Sequence, residues 1–597
     1  MAVTNNILTK NSYLTFDGTS IRDIIIERLN QEGIFTDQNY QGSNMAALND
    51  VISYTFSTLL YYLNKTSSES MFSEAQIYEN MNRIINVLNY KPIGKIGQSV
   101  PVKISTNTLS KGNYTIPRYA YVTVGGTPFS FTEDLSFTKL VYGTESITDL
   151  DNKYNLKQGL YVEYPTYTAS GIDNEIVFIS TKSVSIDHFG IDVYVKRDTS
   201  DTWERWDRVS ELFTKKSTEK VYEVKYNQNK NYEIRFGDDI NGSKLSSNDL
   251  VAIFYLKVDS AATTIGTNAL AGNRIIQFNS STYSTVLTDT VTNFGTYISS
   301  DNLKYVLLNN DFSSAPYSAE ESVDSIRKNA PKTFRTQNRL VTSSDFDTFV
   351  RTNFSNILTD TKILNNEEYL QNHMKYLYNI GLNSPQLESS ILYNQVNFAT
   401  SCNFNNIYIY LVPKNSDQQY MTPSQKSMIL DSLRETKILT SNIVPVDPIY
   451  MYIDFYVPIT KTDYTDLGNT KLYIYKKENT RRASSAIQSD VESIISTYFS
   501  RDINTLGQKI NIYQLNSSLL NIDGVASIQT SRTDTTEKID GISFMVWNSI
   551  YPTLDAKTYS QNVNLENFQF PIFNDLSNIS DRIVVVENSG FIKASDF

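Results

Sequence analysis

The chain has 597 residues, enough for three or four domains, and its 40% hydrophobic and 20% charged content is that of a soluble globular protein. A net charge of −11 with no basic run argues against nucleic acid as a partner, because sequence-independent binding needs clustered Lys and Arg. No apolar run reaches the ~18 residues that span a bilayer; the nearest, VISYTFSTLLYYL at 51–63, is short and broken by Ser and Thr.

The first ninety residues are helical in pattern. Ile21, Ile24, Ile25 and Leu29 predict one helix after Thr19–Ser20, and Leu48, Val51, Ile52, Thr55, Leu59 and Leu63 predict a second. A third is expected to start at Ser73 and Gln76, a capping-box pattern, and to end at Pro92. Between them Ile77, Met81, Ile84, Ile85 and Leu88 form a single apolar stripe.

From Val100 to about Val258 short strands alternate with turns: VPVKIS, KGNYTIP, YAYVTV, PFSFTE, EIVFIST, IDVYVK, VYEVKY, NYEIRFG and LVAIFYLKV. Tyrosine and β-branched residues alternate there with polar ones, as strands with one buried face require. The chain's 41 Tyr, against 29 Phe and 3 Trp, suit both strands and protein interfaces.

Helical signals return at Ser318 and Glu321, which predict a cap, with Val323 and Ile326 on one face and Pro331 as the stop. Thr342 and Asp345 open another short helix carrying Phe346, Phe349 and Val350. Beyond an Asn-rich stretch at 364–405 come a strand at 406–412, a helix near 423–439 and a strand at 450–459. A further helix runs through Ile487, Val491, Ile494, Ile495 and Tyr498. From about 535 the sequence is polar and weakly periodic, consistent with a wrapping arm or an irregular interface region.

Candidate chemistry is sparse. His188 and His373 lie far apart and in no metal-ligand spacing, and the lone Cys402 has no nucleophile signature. One cysteine also leaves no intramolecular disulfide, as expected of a protein made in a reducing cytoplasm, and MAVTNNILTK lacks the pattern of a signal peptide. KPIGKIG at 91–97 has the wrong spacing and the wrong flanking elements for a phosphate loop, and is expected to be a plain connector. FGDDINGSKLSSND at 236–249 offers Asp238, Asp239 and Asn241 near a glycine but lacks the acid series and distal Glu of a calcium loop. It is expected to be a tight hairpin turn between its two flanking strands. Glu320–Glu321 suit a helix N-terminus, and Glu367–Glu368 fall in a polar loop. No convergent acid–base or nucleophile set emerges, so no enzyme activity, metal or cofactor is expected.

Taken in order, several segments resemble the baseplate J-like family of contractile-tail proteins. LNYKPIGKIGQSVPVKIS is similar to the family's passage from helix end to first strand, and YTIPRYAYVTVGGTPFSFTED to the strand, turn and hairpin after it. NYEIRFGDDINGSKLSSNDLVAIFYLKV resembles the FGDG…G…V…Y segment through Phe236, Gly237, Asp238, Gly242, Val251 and Tyr255. ESVDSIRKNAPKTFRTQNRLVTSSDFDTFV resembles the ES…IR…AP…R.VT..D run through Glu321, Ser322, Ile326, Arg327, Ala330, Pro331, Arg339, Val341, Thr342 and Asp345. IYIYLVPK and LGQKINIYQLNSSLLNIDGVASI resemble its C-terminal portion. The chain departs where Asp239 replaces the usual Gly, and where Leu245 and Asn248 stand for Pro and Gly.

The long N-terminal helices and C-terminal extension look most like the large wedge subunit of complex myovirus baseplates. That resemblance implies a structural protein of the virion's tail baseplate, assembled in the host bacterial cytoplasm. It further implies two copies per wedge pairing through C-terminal regions, and a second, larger wedge subunit bound through a helical bundle. Neighbouring wedges, the hub and lysozyme-like or sheath-initiator components would then surround a ring that passes the contraction trigger. A receptor- or carbohydrate-binding tail component is the alternative suggested by the tyrosine-rich strands, and a tail-associated hydrolase a third.

The expected class is multidomain α+β: a helical partner-binding region at 1–92, a β-rich domain at 93–312, an α/β domain at 313–480, and a self-pairing C-terminal region at 481–597. Leu48, Val51, Ile52, Leu59, Ile77, Met81, Ile84, Ile85 and Leu88 are the expected partner-binding residues. Phe236, Gly237, Asp238, Gly242, Glu321, Arg327, Pro331, Thr342 and Asp345 are expected to be structural.

Overall fold

The computed structural model describes residues 18–32, 42–180, 184–260, 262–278, 296–298, 301–337, 339–369, 371–372, 405–434, 436–457, 469–477, 480–548, 557–559 and 562–587. His373, Cys402, most of the Asn-rich stretch and the last ten residues lie outside them. The chain divides into two units, the first made of Met1–Pro92, Lys225–Asn231 and Glu321–Phe334, the second of the remainder. Both helices and many strands are present, and the class is multidomain α+β.

In the first unit α1 (Gly18–Glu32) packs along α2 (Asn44–Glu69), with an Arg22–Asp50 ion pair at 3.0 Å. Ser43 Oγ accepts the Ala46 N–H and starts α2. The short α3 (Tyr78–Ile85) is not capped by Ser73 and Gln76: its N-cap is Ile77, and the Glu69 carboxylate accepts the Gln76 and Ile77 N–H groups instead. A residue at the end of the preceding helix thus does what the local pattern assigned to Ser73. The helix also ends before Pro92, in a 3-10 turn at Asn86–Leu88 closed by Asn89 at φ +52°. Met81, Ile85, Ala75 and Tyr90 close a small core with Ile326 and Ala330 of α4 (Val323–Thr336). That helix starts later than Ser318 would place it, with Ser322 Oγ accepting the Ser325 N–H, and it runs on through Pro331.

The second unit opens with β1 (Ser99–Thr106), β2 (Gly112–Ile116), β3 (Tyr121–Val124), β4 (Thr127–Phe131), β5 (Leu135–Lys139), β6 (Glu145–Ser146) and β7 (Tyr154–Gln158). There follow β8 (Leu160–Thr168), β9 (Ile176–Ile179), β10 (Ile186–Lys196), β11 (Trp203–Val209), β12 (Val221–Tyr226), β13 (Tyr232–Phe236) and β14 (Leu250–Lys257). Two later strands, β15 (Thr296–Tyr297) and β16 (Val306–Asn309), return to the first group. The sheets run β16-β1-β7-β4-β3, with β6 on β1, and β15-β2-β5; Val100, Val102, Ile116, Phe129 and Leu156 lie in the core they share.

The other sheet runs β8-β14-β10-β11-β12-β13-β9, so β13 and β14 are not neighbours and 237–249 is not a hairpin turn. It is a crossover that returns the chain to β10 and β8, where β14 is hydrogen-bonded on both edges. The alternation in the two strands is real; pairing partners cannot be read from it.

Farther on, α5 (Ser343–Asn353) and α6 (Pro423–Arg434) accompany the sheet β17 (Leu358–Asn365), β18 (Asn406–Pro413) and β19 (Asn442–Val446) around Phe346, Val350, Ile409 and Ile429. The last domain contains β20 (Ile449–Phe455), β21 (Thr470–Lys476), α7 (Ser484–Tyr498), β22 (Lys509–Ile510), α8 (Ile512–Leu520), β23 (Val525–Arg532) and β24 (Lys538–Asp540). Its remaining strands are β25 (Phe544–Asn548), β26 (Lys557–Tyr559), β27 (Val563–Asn564), β28 (Gln569–Phe573) and β29 (Ile583–Val586).

Here β20 lies between β25 and β28, and β21 between β23 and β29. A boundary at 480 would therefore cut two sheets. The described part of 535–587 supplies β24, β25, β26, β28 and β29 to the two sheets that contain β20 and β21.

Candidate assembly surfaces and the residues that hold them

The unusual element is α2. Its buried residues in the first three turns are Ala46, Asn49 and Ser53, small or polar, whereas Leu48, Val51, Leu59 and Tyr62 are 54, 65, 57 and 64% exposed. At 100° per residue these four share one face, opposite the buried one. Tyr54, Phe56, Tyr61 and Leu63 are exposed as well. A helix of this composition ordinarily belongs in an interior, so its apolar face lacks cover within the described chain. No helix among the described residues is long and apolar enough to cross a membrane.

The other expected partner residues divide. Met81 and Ile85 are fully buried in their own unit's core, and Ile84 and Leu88 pack against that core; Ile77 is exposed and Ile52 half-buried. Met81 and Ile85 pack instead against Ile326 and Ala330 of α4. Glu69, whose acid is lowered to about 2 chiefly by the Ile77 N–H, pins the start of α3.

The motif residues make the following contacts. Arg327 donates to the carbonyls of Phe72 (3.3 Å) and Ala75 (2.5 Å) and pairs with Asp324. Glu321 accepts from Tyr90 Oη (2.8 Å) and Asn329 Nδ2 (3.0 Å), and burial together with this carboxylate pushes the Tyr90 phenol far above its ordinary value. Both residues thus clamp α4 onto the 72–90 segment. Pro331 lies inside α4, not at its end.

Thr342 and Asp345 form a complete capping box at the start of α5. Phe236 is buried against Trp206, with ring centroids 5.6 Å apart. Gly237 packs so closely that a Cβ would stand 2.3 Å from the Gly242 carbonyl oxygen. Asp238 Oδ1 accepts the N–H groups of Ile240 (3.0 Å) and Asn241 (2.7 Å), which hold its acid below the usual range. Asp239 and Asn248 have φ of +62° and +70°, the left-handed region where Asp and Asn are the best replacements for Gly. Among the described residues no group of three or more His, Cys, Asp or Glu is placed to hold a metal ion.

Sequence reasoning missed a buried polar cluster centred on Tyr119, a bulky residue at φ +67°. Its hydroxyl donates to Asp192 Oδ2 (2.8 Å) and meets Tyr194 Oη (3.1 Å), and its ring lies 4.1 Å from that of Tyr161. Burial opposes ionisation of Asp192, but Arg205 and Arg118 outweigh it and hold the carboxyl below its ordinary range. The only sequence sign is a charged residue, Arg118, inside an otherwise strand-like run. The connector 93–97 is also built in: His188 Nδ1 accepts the Gly94 N–H (3.1 Å) and Asp187 Oδ2 the Gly97 N–H (2.7 Å).

Fold and site together define a multidomain α+β protein whose motif residues hold turns, caps and clamps and whose helix α2 carries an exposed apolar face among the described residues. In sequence it is 25% identical over 365 residues to the baseplate wedge protein gp6 of Enterobacteria phage T4, a match over 57% of this chain. The chain spans about half (50%) the length of that relative. No family model matches. Among solved structures, the anti-feeding prophage baseplate aligns over 94% of this chain and 98% of its own at 10% identity and a TM-score of 0.29. The TssK-TssF-TssG baseplate subcomplex of the type VI secretion system aligns over 67% and 96% at 6% identity and 0.26. Scores of that size carry no argument; the likeness to baseplate wedge proteins rests on the sequence relative.

Proposed function

We propose that this chain is a structural, non-enzymatic wedge subunit of a contractile phage-tail baseplate. The sequence relative supports the class, and the observation that carries the assembly role is the inverted α2, small or polar inward and apolar outward. Two copies would pair within each wedge through the C-terminal domain and join a second, larger wedge subunit through the helical unit. Closed into a ring around the hub, such wedges would transmit the contraction trigger by rigid-body rotation. Co-expression with the other wedge subunit of the same tail, followed by native mass spectrometry, should give a complex holding two copies of this chain. A monomer that binds no wedge subunit would overturn the proposal.

A further inference from the structure

His188 has a hydrogen-bond problem that a neutral ring cannot fully solve. Its Nδ1 faces the Gly94 N–H at 3.1 Å and its Nε2 faces the Arg208 guanidinium at 3.2 Å. Both neighbours are donors, whereas a neutral imidazole accepts at one nitrogen only, and a protonated ring accepts at neither. Arg208 is held in place by a second bond, to the His188 carbonyl at 2.5 Å, so it does not turn away. The His188 N–H in turn donates to the Lys95 carbonyl at 2.7 Å. The ring and its backbone thus grip two successive residues of the connector.

The space is closed. A Cβ on Gly94 would stand 2.2 Å from Tyr232 Oη, and one on Gly97 2.9 Å from Val258 Cγ1. Glycine is what lets this segment lie against the ring, which accounts for KPIGKIG without any phosphate.

We propose that His188 is an acid-operated latch on the 93–97 connector, closed when the imidazole is neutral and released when it takes up one proton. The groups facing the ring are Arg208 of β11, Lys157 of β7 and Tyr232 of β13, with Asp187 beside it on β10. Asp187 is occupied by Lys157, the Gly97 N–H and the Phe189 N–H, and so offers the ring little compensation. Burial, then Arg208 and Lys157, holds the ring's pKa well below the ordinary imidazole value. The sign follows from that depression. The latch is fully closed above the ordinary value, and it weakens as pH falls below that value because the open state binds the extra proton.

The test is amide hydrogen exchange of the full chain at pH 7.5 and 5.0, corrected for intrinsic rates, with 251–256 of β14 as the internal reference. An open-state pKa of about 6.5 gives a roughly thirty-fold rise in opening at 93–97 between these pH values and no change in the reference. In His188→Asn, whose Oδ1 replaces Nδ1 as acceptor but cannot titrate, the rise should disappear. No rise in the wild type, or an equal rise in His188→Asn, overturns the proposal. Should that variant fail to hold the connector at pH 7.5, ring-carbon NMR of the wild type decides, with signals assigned by His373→Gln. A His188 ring that stays neutral while 93–97 is protected upholds the latch; a ring that titrates near 6.5 with protection intact overturns it.

Discussion

Removing the Arg327 guanidinium while keeping its stem, Arg327→Met, should loosen α3 from α4 without unfolding the chain. The two carbonyl contacts, to Phe72 and Ala75, are charge-assisted but partly solvated, since the side chain is 27% exposed. At about 1 kcal/mol each, after that discount, they sum to about 2 kcal/mol. The ion pair with Asp324, itself 88% exposed, adds less than about 0.5 kcal/mol. Because 1.4 kcal/mol is a factor of ten, the amides of Tyr78–Ile85 should exchange about thirty-fold faster in Arg327→Met. In Asp324→Ala they should change less than about threefold. Hydrogen exchange on the purified chain reads both. Equal effects from the two substitutions, or none from Arg327→Met, would refute the idea that this motif residue works by holding the 72–75 carbonyls.

Other outcomes follow from the same geometry. Glu69 has its acid lowered to about 2, so its grip on Gln76 and Ile77 is complete above the ordinary value of 4.5 and is lost as pH falls from there toward 2. Exchange at those two amides across that range checks it. Gly237→Ala drives a Cβ into the Gly242 carbonyl and should destabilise the β domain by about 2–4 kcal/mol. Gly266→Ala, with nothing within 4 Å of the new atom, should stay within about 0.5 kcal/mol; chemical denaturation compares the two. Tyr119→Phe removes the donor to Asp192 and should cost about 1–2 kcal/mol in the same assay, with the fold retained.

How far the sequence foretold this molecule depends on the range of the interaction. Thr342 and Asp345 lie three residues apart at the start of one helix, and their capping pattern is realised in full. The heptad-like spacing of α2 and the alternation of β13 and β14 were equally legible, being properties of single elements. Ser73 and Gln76 misled because the Glu69 carboxylate, at the end of another helix, took the amides first. Pro331 misled because α4 is held by Arg327 and Glu321 on either side of its start, and packing overrides one missing N–H. The crossover at 237–249 and the parallel pairing of β21 with β29 depend on residues far apart in sequence, which no local periodicity reports. At the candidate surface, the apolar stripes of α2 and α3 look alike as sequence. Only the fold shows that α4 covers Met81 and Ile85 and leaves Leu48, Val51 and Leu59 bare.

The most direct measurement concerns that bare face. Val51→Asp with Leu59→Asp alters two side chains that are 65 and 57% exposed, so the isolated chain should keep its stability to within about 1 kcal/mol. Burying two unpaired carboxylates against a wedge partner should cost more than about 3 kcal/mol, at least a hundredfold in affinity. Sedimentation of the chain with its co-expressed wedge subunit is expected to show the complex for the wild type and separate components for the double variant. A double variant that assembles as tightly as the wild type would contradict the assignment of α2 as the assembly surface.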